Sequence, residues 1–412
     1  MKNIVLISSG QPSLNPRLIK EADTLAENGY QVTVLYAYWN LWGTKHDQDL
    51  LSQKKWTAVR LGGDPTRKRI TWFISRLIFK VSGILLQKTG KYKYLADVAV
   101  ARSSFFLIRG AKKYKADLYI AHNIGALPAA VKTAALYHSL SGFDAEDFHR
   151  QEVSDDVNSY KFKLFKYIED KYLPAVNYLT ASSPLIAEKY DVLYNKSVTT
   201  LLNVFPKTTI PVVIKNDNAP LKLFWFSQTI GPHRGLEMAI KAIGLCEIKP
   251  ELHLLGQLAD GYKQHLLTLA EKTRSCIDFI FFYEPIKSDE IFSFSSQFDI
   301  GLASDTEICL NRDISLTNKL FCYIQSGLAV AAYGTMAQAT FMESEPQIGK
   351  VYRSAGELSV IINEYDKNRE SLFQTKNESF KLGQNNLNWE NESRKFLGII
   401  ENVLSGKPEN EN

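Results

Sequence analysis

Two basic residues stand where a helix begins just after a buried strand, a placement suited to binding phosphate. In LKLFWFSQTIGPHRGLEMAIKAIG, Leu221 to Phe226 is an apolar and aromatic run that reads as a strand, and Ser227 to His233 is a polar turn holding Gly231 and Pro232. From Arg234 onward Leu236, Ala239, Ile240 and Ile243 recur at helical spacing. The free N–H groups at such a helix start, together with the helix dipole, favour an anion, and the Arg234 guanidinium adds a rigid fork matched to phosphate oxygens. A second unit of like design follows the strand FDIGLAS: a polar loop from Asp305 to Ser315, then a helix capped by Thr317 or Ser315 that runs through Asn318, Lys319, Leu320, Tyr323 and Ile324 to Gly327. A lysine in a first turn opposes the dipole's preference for acids, which an occupying anion would explain. Taken singly, each basic residue is equally an ordinary surface residue of an α/β protein. As a pair, Arg234 and Lys319 could clamp a diphosphate.

Acid–base chemistry has one concentrated candidate. FDAEDFHRQE gathers Asp144, Glu146, Asp147, His149 and Glu152 just past an apolar strand. Such runs are commonly solvated loops, so only Asp144, nearest the strand end, is singled out for proton transfer or hydroxyl binding. The loop Gly10 to Arg17 follows the first strand and should line a ligand cleft, but it lacks GxGxxG and gives no support for a dinucleotide. Thr66 to Lys93 is basic throughout and holds no acid. On a helical wheel Arg69, Arg76, Lys80 and Gln87 share one face, and Ile70, Ile74, Leu77, Ile78, Val81 and Leu85 gather on another. With Arg76 and Lys80 inside it, the run is a poor transmembrane span. Either it lies in an anionic bilayer surface or it is a core helix with a solvated basic side.

These residues need a scaffold. Asn3 to Ser8, Pro16 to Asn28 and Gln31 to Tyr36 read as strand, helix and strand, a βαβ opening that predicts a parallel sheet with ligands at its carboxyl edge. Further strands are expected at Asp117–Ala121, Asn177–Ala181 and Val198–Leu202, and in the second half at Glu251–Leu255, Ile277–Phe282, Asp299–Ala303 and Ala329–Tyr333. Phe205 to Pro220 carries three prolines and a polar run, which marks a linker. The expected division is therefore 1–205, a linker over 206–220, and 221–388, with a last helix over 389–404. The chain's 412 residues are too many for one ordinary core and suggest two or three domains, and its 45% hydrophobic content is ordinary for a globular protein. A formal charge of +5 is too mild to argue for nucleic acid, and the positive charge lies in an amphipathic segment, not a groove interleaved with aromatics. Cys246, Cys276, Cys309 and Cys322 form no CxxC pair and read as cytosolic thiols. The short run Ile4 to Ile7 reads as a first strand, not a signal peptide.

The ordered set PRLIKEADTLAENGYQVTVLY, FDAEDFHRQE, SQTIGPHRGLEMAI, FDIGLAS, SLTNKLFCYIQSGLAVAAYGT and NWENE resembles the group-1, or GT4-like, glycosyltransferases of GT-B fold, over nearly the whole chain. The resemblance implies an α/β architecture of two Rossmann-like domains facing across a cleft, the second holding a nucleoside-diphosphate sugar and the last helix packing back on the first. It implies Arg234 and Lys319 on the donor diphosphate as catalytic cations, with Asn318 and Gly231 beside them. It implies Gly10 and Arg17 closing over the donor from the first domain, and Asp144 near where many relatives place a catalytic or sugar-binding histidine. The sequence also departs from the pattern. Many relatives carry two glutamates eight positions apart, the second five before the glycine; here Ile314 and Cys322 stand there, and the proline before the final strand is Ala329. Glu307 or Asp305 could stand in.

The resulting expectation is transfer of a sugar from a nucleoside-diphosphate sugar to a hydroxyl acceptor, lipid-linked or belonging to a surface polysaccharide. Retention of anomeric configuration is expected, with no metal and no cofactor beyond the donor co-substrate. The expected place is the cytoplasm, peripheral on the membrane through Arg69, Arg76 and Lys80. Two rivals stay open: a non-catalytic sugar-nucleotide-binding or scaffold protein, favoured by Cys322, and a UDP-sugar epimerase.

Overall fold

The computed structural model describes residues 1–209, 219–273, 277–288 and 290–406. Most of the expected linker and Cys276 lie outside them. The chain divides into two compact units: Met1–Leu202 with Cys309–Asn311 and Ser393–Asn412, and Asn203–Ile308 with Arg312–Glu392.

The first unit is a seven-stranded parallel sheet made of β1 (Asn3–Ser8), β2 (Gln31–Ala37), β3 (Thr57–Leu61), β4 (Leu118–His122), β5 (Leu140–Ala145), β6 (Tyr178–Ala181) and β7 (Thr199–Thr200). Their order is β3-β2-β1-β4-β5-β6-β7. The central strands are almost continuously apolar because helices cover both faces. Leu18, Ala22 and Leu25 of the helix Pro16–Glu27 bury against Ile4, Leu6 and Val34, and Phe396, Ile399 and Ile400 join the same core. Pro16 opens that helix, Asn15 caps it by accepting from the Leu18 amide, and Gly29 follows it in the left-handed region. The helix Leu41–Ser52 and strand β3 were not anticipated: the helix carries apolar residues only near its two ends, and β3 is only five residues long.

The second unit has six parallel strands: β8 (Lys222–Ile230), β9 (Glu251–Leu258), β10 (Ile280–Tyr283), β11 (Ile300–Ala303), β12 (Ala329–Tyr333) and β13 (Gly349–Tyr352). Their order is β10-β9-β8-β11-β12-β13. Strand β8 runs past the expected end at Phe226: an irregularity between Phe226 and Thr229 restores pairing with Gln257 and Leu258 of β9. The expected strand at Ile277 starts only at Ile280, after a 3-10 turn. At Gly301 of β11 a Cβ would lie 2.2 Å from the Tyr323 ring, so glycine there lets the helix Asn318–Gln325 pack onto the sheet.

In each sheet the strand order reverses beside the first strand, between β1 and β4 and between β8 and β11. Crevices at the carboxyl ends of such switch points are where open α/β sheets hold ligands.

Candidate functional site

In the second unit the two expected cations meet on one carboxylate. Asp305, just past β11, accepts from Lys319 Nζ at 2.7 Å and from Thr317 Oγ1 at 2.9 Å. Its other oxygen lies 3.4 Å from Arg312 and 3.5 Å from Arg234. Burial alone would raise the Asp305 pKa, but Lys319, Thr317 and Arg312 outweigh it and bring the pKa down to about 2. Burial lowers the Lys319 pKa against the pull of Asp305. The Lys319 ammonium also lies 5.4 Å over the Trp225 ring. Thus three cations gather on a single acid, and positive charge is in surplus. The Arg234 and Arg312 side chains are 30% and 34% exposed, so each retains donors for a ligand, whereas Lys319 is buried.

Local folding explains the convergence. The helix Leu236–Leu245 starts after Gly235, which has φ of 75° and whose Cβ would lie 2.1 Å from the Ser304 carbonyl oxygen. Only glycine fits there. Ser304 completes the junction by donating to the Arg234 carbonyl at 2.7 Å. Gly235, not Gly231, is the indispensable glycine: at Gly231 a Cβ would meet only ordinary contacts at 3.6 Å. The helix Asn318–Gln325 is capped by Thr317, and Asn318 begins it, its side-chain oxygen accepting from Asn203 at 3.0 Å. Arg312 went unremarked because a lone arginine in a polar loop carries no periodic signal.

Neither acid named as a stand-in for the missing glutamates is free among the described residues. Ile314 and Cys322 are fully buried, and burial pushes the Cys322 thiol up to about 12. Asp305 is committed to its cations, and Glu307 accepts from the Tyr333 hydroxyl at 3.0 Å.

In the first unit register builds the second cluster. Ser8 pairs with His122, His122 with Asp144 and Asp144 with Thr180, so the carboxyl ends of β1, β4, β5 and β6 form one row. Arg17 inserts into it. Its Nε and Nη2 donate to the two Asp144 oxygens, the latter at 2.6 Å, and Thr180 Oγ1 donates to Asp144 at 2.7 Å. Arg17 is 0% exposed and Asp144 1%. Arg17, expected over the donor, is thus turned into the protein on Asp144, and Asp144, expected at the acceptor, is buried against Arg17 and Thr180. Gly10 does sit in the loop after β1, its N–H bonded to Ser8 Oγ at 3.1 Å, yet a Cβ would be tolerated there.

His122 is the residue the sequence did not disclose. Its Nε2 lies 3.1 Å from Glu21, and its Nδ1 lies 3.5 Å from both Asp144 and Glu146. Burial alone would lower its pKa, but Glu21, Glu146 and Asp144 raise it to about 10, so the ring is cationic at neutral pH. Burial raises the Glu21 carboxyl above its usual range, while Arg17 and His122 overcome burial to hold Asp144 below its own. Glu21, His122 and Asp144 offer ligand-type atoms within 4.8 Å of one another, and the Arg17 guanidinium sits on Asp144 beside them. A single histidine inside AHNIG gives no pattern, and only strand pairing brings it to Glu21 and Asp144.

A third feature is the helix Arg69–Thr89. It is seated in the first unit by Ser75, Ser82 and Leu86, and its Ile70, Phe73, Ile74, Leu77, Val81 and Ile84 are exposed, Ile70 by 78% and Phe73 by 63%. By length and composition alone it would suffice to cross a bilayer. The core-helix alternative does not hold, because its widest apolar face is the uncovered one. Lys80 and Arg69 are exposed beside that face, whereas Arg76 is partly buried, its guanidinium 4.6 Å over the Trp72 ring.

Neither a family model nor a curated protein sequence matches the chain. Solved structures do match. HepE from Anabaena, in complex with UDP and glucose, is 14% identical, with 97% of this chain and 100% of that one covered and a TM-score of 0.67. Sucrose-phosphate synthase from Thermosynechococcus elongatus is 12% identical over 99% of this chain and 100% of its own, with a TM-score of 0.70. TarM is 10% identical over 98% and 99%, with a TM-score of 0.67. The two parallel-sheet units thus have the architecture of GT-B glycosyltransferases.

Proposed function

We propose that the chain is a glycosyltransferase of the group-1, or GT4-like, kind, moving a sugar from a nucleoside-diphosphate sugar to a hydroxyl of a lipid-linked or surface-polysaccharide intermediate. The observation that carries this is the gathering of Arg234, Arg312 and Lys319 on Asp305 at the switch point of the second sheet, where two helices begin. As the bond from the sugar to the leaving diphosphate breaks, negative charge grows on the diphosphate. Cations already fixed by the fold stabilise that charge without reorganising, and they bind the transition state better than the donor. Arg234 and Arg312 bring unused N–H donors, and Lys319, held by Asp305, brings a fixed field. These side chains supply the charge that a metal would otherwise supply. HepE, solved with UDP and with UDP-glucose, supports a nucleotide-sugar as the guest.

In the first unit Asp144 and Arg17 act as positioning residues that hold His122 and the ends of β4 and β5 in place. Retention of configuration rests on the family resemblance. The uncovered apolar face of Arg69–Thr89, flanked by Arg69, Lys80 and Lys88, supports peripheral attachment to an anionic cytoplasmic membrane face, with apolar burial and charge acting together.

The test is release of free nucleoside diphosphate when the protein is incubated with UDP-, GDP- or dTDP-sugars and a membrane extract as acceptor. Release from one donor, reduced about a hundredfold or more in Arg234→Ala and Lys319→Ala, is expected. Binding of a donor without release across acceptors would instead favour the non-catalytic, sugar-nucleotide-binding alternative.

A further inference from the structure

Arg76 and Arg102 lie on neighbouring segments of the first unit, each stacked over a tryptophan. Arg76 projects from the flank of the helix Arg69–Thr89, its guanidinium 4.6 Å over Trp72; Arg102 precedes the helix Ser104–Ala111, its guanidinium 4.8 Å over Trp39. The two helices pack on each other. The Arg76 Nε and the Trp72 Nε1 are buried N–H donors with no acceptor. Among the described residues neither guanidinium has a carboxylate partner. No acid occurs between Thr66 and Lys93, and nearby Asp64 is taken by Arg60 at 2.9 Å and by Thr66 and the Arg67 amide. Burial, then the charge of Arg102, lowers the Arg76 pKa. Leaving buried N–H donors unmet is costly, and stacking on a ring orients a guanidinium without using its N–H groups. A bound anion would satisfy these donors and relieve the repulsion.

We propose that Arg76, Arg102 and the Trp72 N–H form a binding site for the phosphate group of an amphiphile whose apolar chain lies along the exposed Phe73, Leu77 and Ile84 side of the same helix. This rests on the acceptor reading above and gives that acceptor its chemistry: a phosphate-bearing lipid. Charge and apolarity are complementary to such a molecule within a few residues. Arg76 adjoins Leu77 and stands one turn from Phe73, so the phosphate and the first methylenes of one molecule would be held together. The phosphate could equally come from a soluble ester, which lacks the chain.

The experiment uses the full chain and phosphatidylcholine vesicles containing either phosphatidate, a phosphomonoester lipid, or the same fraction of phosphatidylglycerol, a diester. Binding is read by flotation, with glycerol phosphate as the soluble competitor. The expected result is preference for phosphatidate, weakened about tenfold or more in Arg76→Gln and in Arg102→Gln, with glycerol phosphate a poor competitor. Trp72→Phe, which keeps the ring and loses the N–H, should weaken it less. Binding of both anionic lipids that is unaltered in both arginine variants would overturn the site. Displacement by glycerol phosphate at concentrations matching the lipid would overturn the amphiphile and leave a soluble ester. A nucleotide-sugar thermal shift measured on the same variants keeps the outcomes apart: Arg76→Gln and Arg102→Gln should retain it, and its absence from the wild type would count against the glycosyltransferase reading instead.

Discussion

Replacing Asp144 by asparagine should damage the fold before it damages chemistry. The substitution takes from the Arg17 guanidinium, 0% exposed, its two-pronged carboxylate partner, leaving the Leu201 carbonyl and the more distant charges of Glu21 and Glu146. Breaking a buried pair by removing one partner costs about 3–5 kcal/mol. For a unit of this size each kcal/mol moves the melting midpoint by roughly 2–4 °C, so the transition of the first unit should fall by about 6–20 °C. The assay is differential scanning calorimetry of the wild type, Asp144→Asn, Arg17→Met and the double variant. Because the two side chains share one ion pair, the double variant should recover much of the loss, giving a coupling energy of about 2 kcal/mol or more. A melting profile unchanged in Asp144→Asn, with turnover abolished, would refute the positioning role and restore Asp144 as a group that meets the acceptor.

Other expectations follow from the same geometry. His122 has its pKa raised from 6.5 to about 10, so its contribution is complete below pH 6.5 and is lost as pH rises through 10. His149, raised to about 9 mainly by Glu152 against burial, acts in the same direction. The first unit should therefore melt progressively lower from pH 7 to 10, by at most about 1.4 kcal/mol per pH unit for each histidine, and His122→Asn should flatten that slope. Replacing Phe73 and Leu77 together by serine should abolish flotation with anionic vesicles while leaving the melting midpoint within about 0.5 kcal/mol of wild type, since both side chains already face water. Cys322, fully buried and pushed up to about 12, should resist iodoacetamide in the native protein at pH 8 and react only on unfolding; mass spectrometry of the alkylated peptide decides this.

What the sequence revealed follows the range of the forces involved. Strand, loop and helix around Arg234, and the Thr317 cap before Lys319, are local: period, turn chemistry and capping are written in neighbouring residues. The convergence of Arg312 and Arg234 on Asp305 is not, because it depends on β11 lying beside β8. Gly231 attracted notice as the glycine of a polar turn, whereas Gly235 is the one the fold requires, and its reason is a carbonyl oxygen at Ser304 far along the chain. His122 and Glu21 are set together by parallel pairing and a helix packed over it, so no spacing rule could find them. On the helix Arg69–Thr89 the wheel gives two faces, but amphipathicity alone does not say which is covered: Ser75, Ser82 and Leu86 are the buried residues, and Arg76 is partly buried.

On the proposed function, the second unit holds a nucleoside-diphosphate sugar on Arg234, Arg312 and Lys319. The most direct measurement is a thermal-shift series with UDP-, GDP- and dTDP-sugars on the wild type and Arg234→Ala. Ligand at a hundredfold excess over its dissociation constant stabilises the folded state by about 2.7 kcal/mol, a shift well above error. One nucleotide should give such a shift, and the shift should be lost in Arg234→Ala, whose unliganded midpoint should match the wild type. No shift with any nucleotide-sugar, or one that survives Arg234→Ala undiminished, would contradict the proposed function.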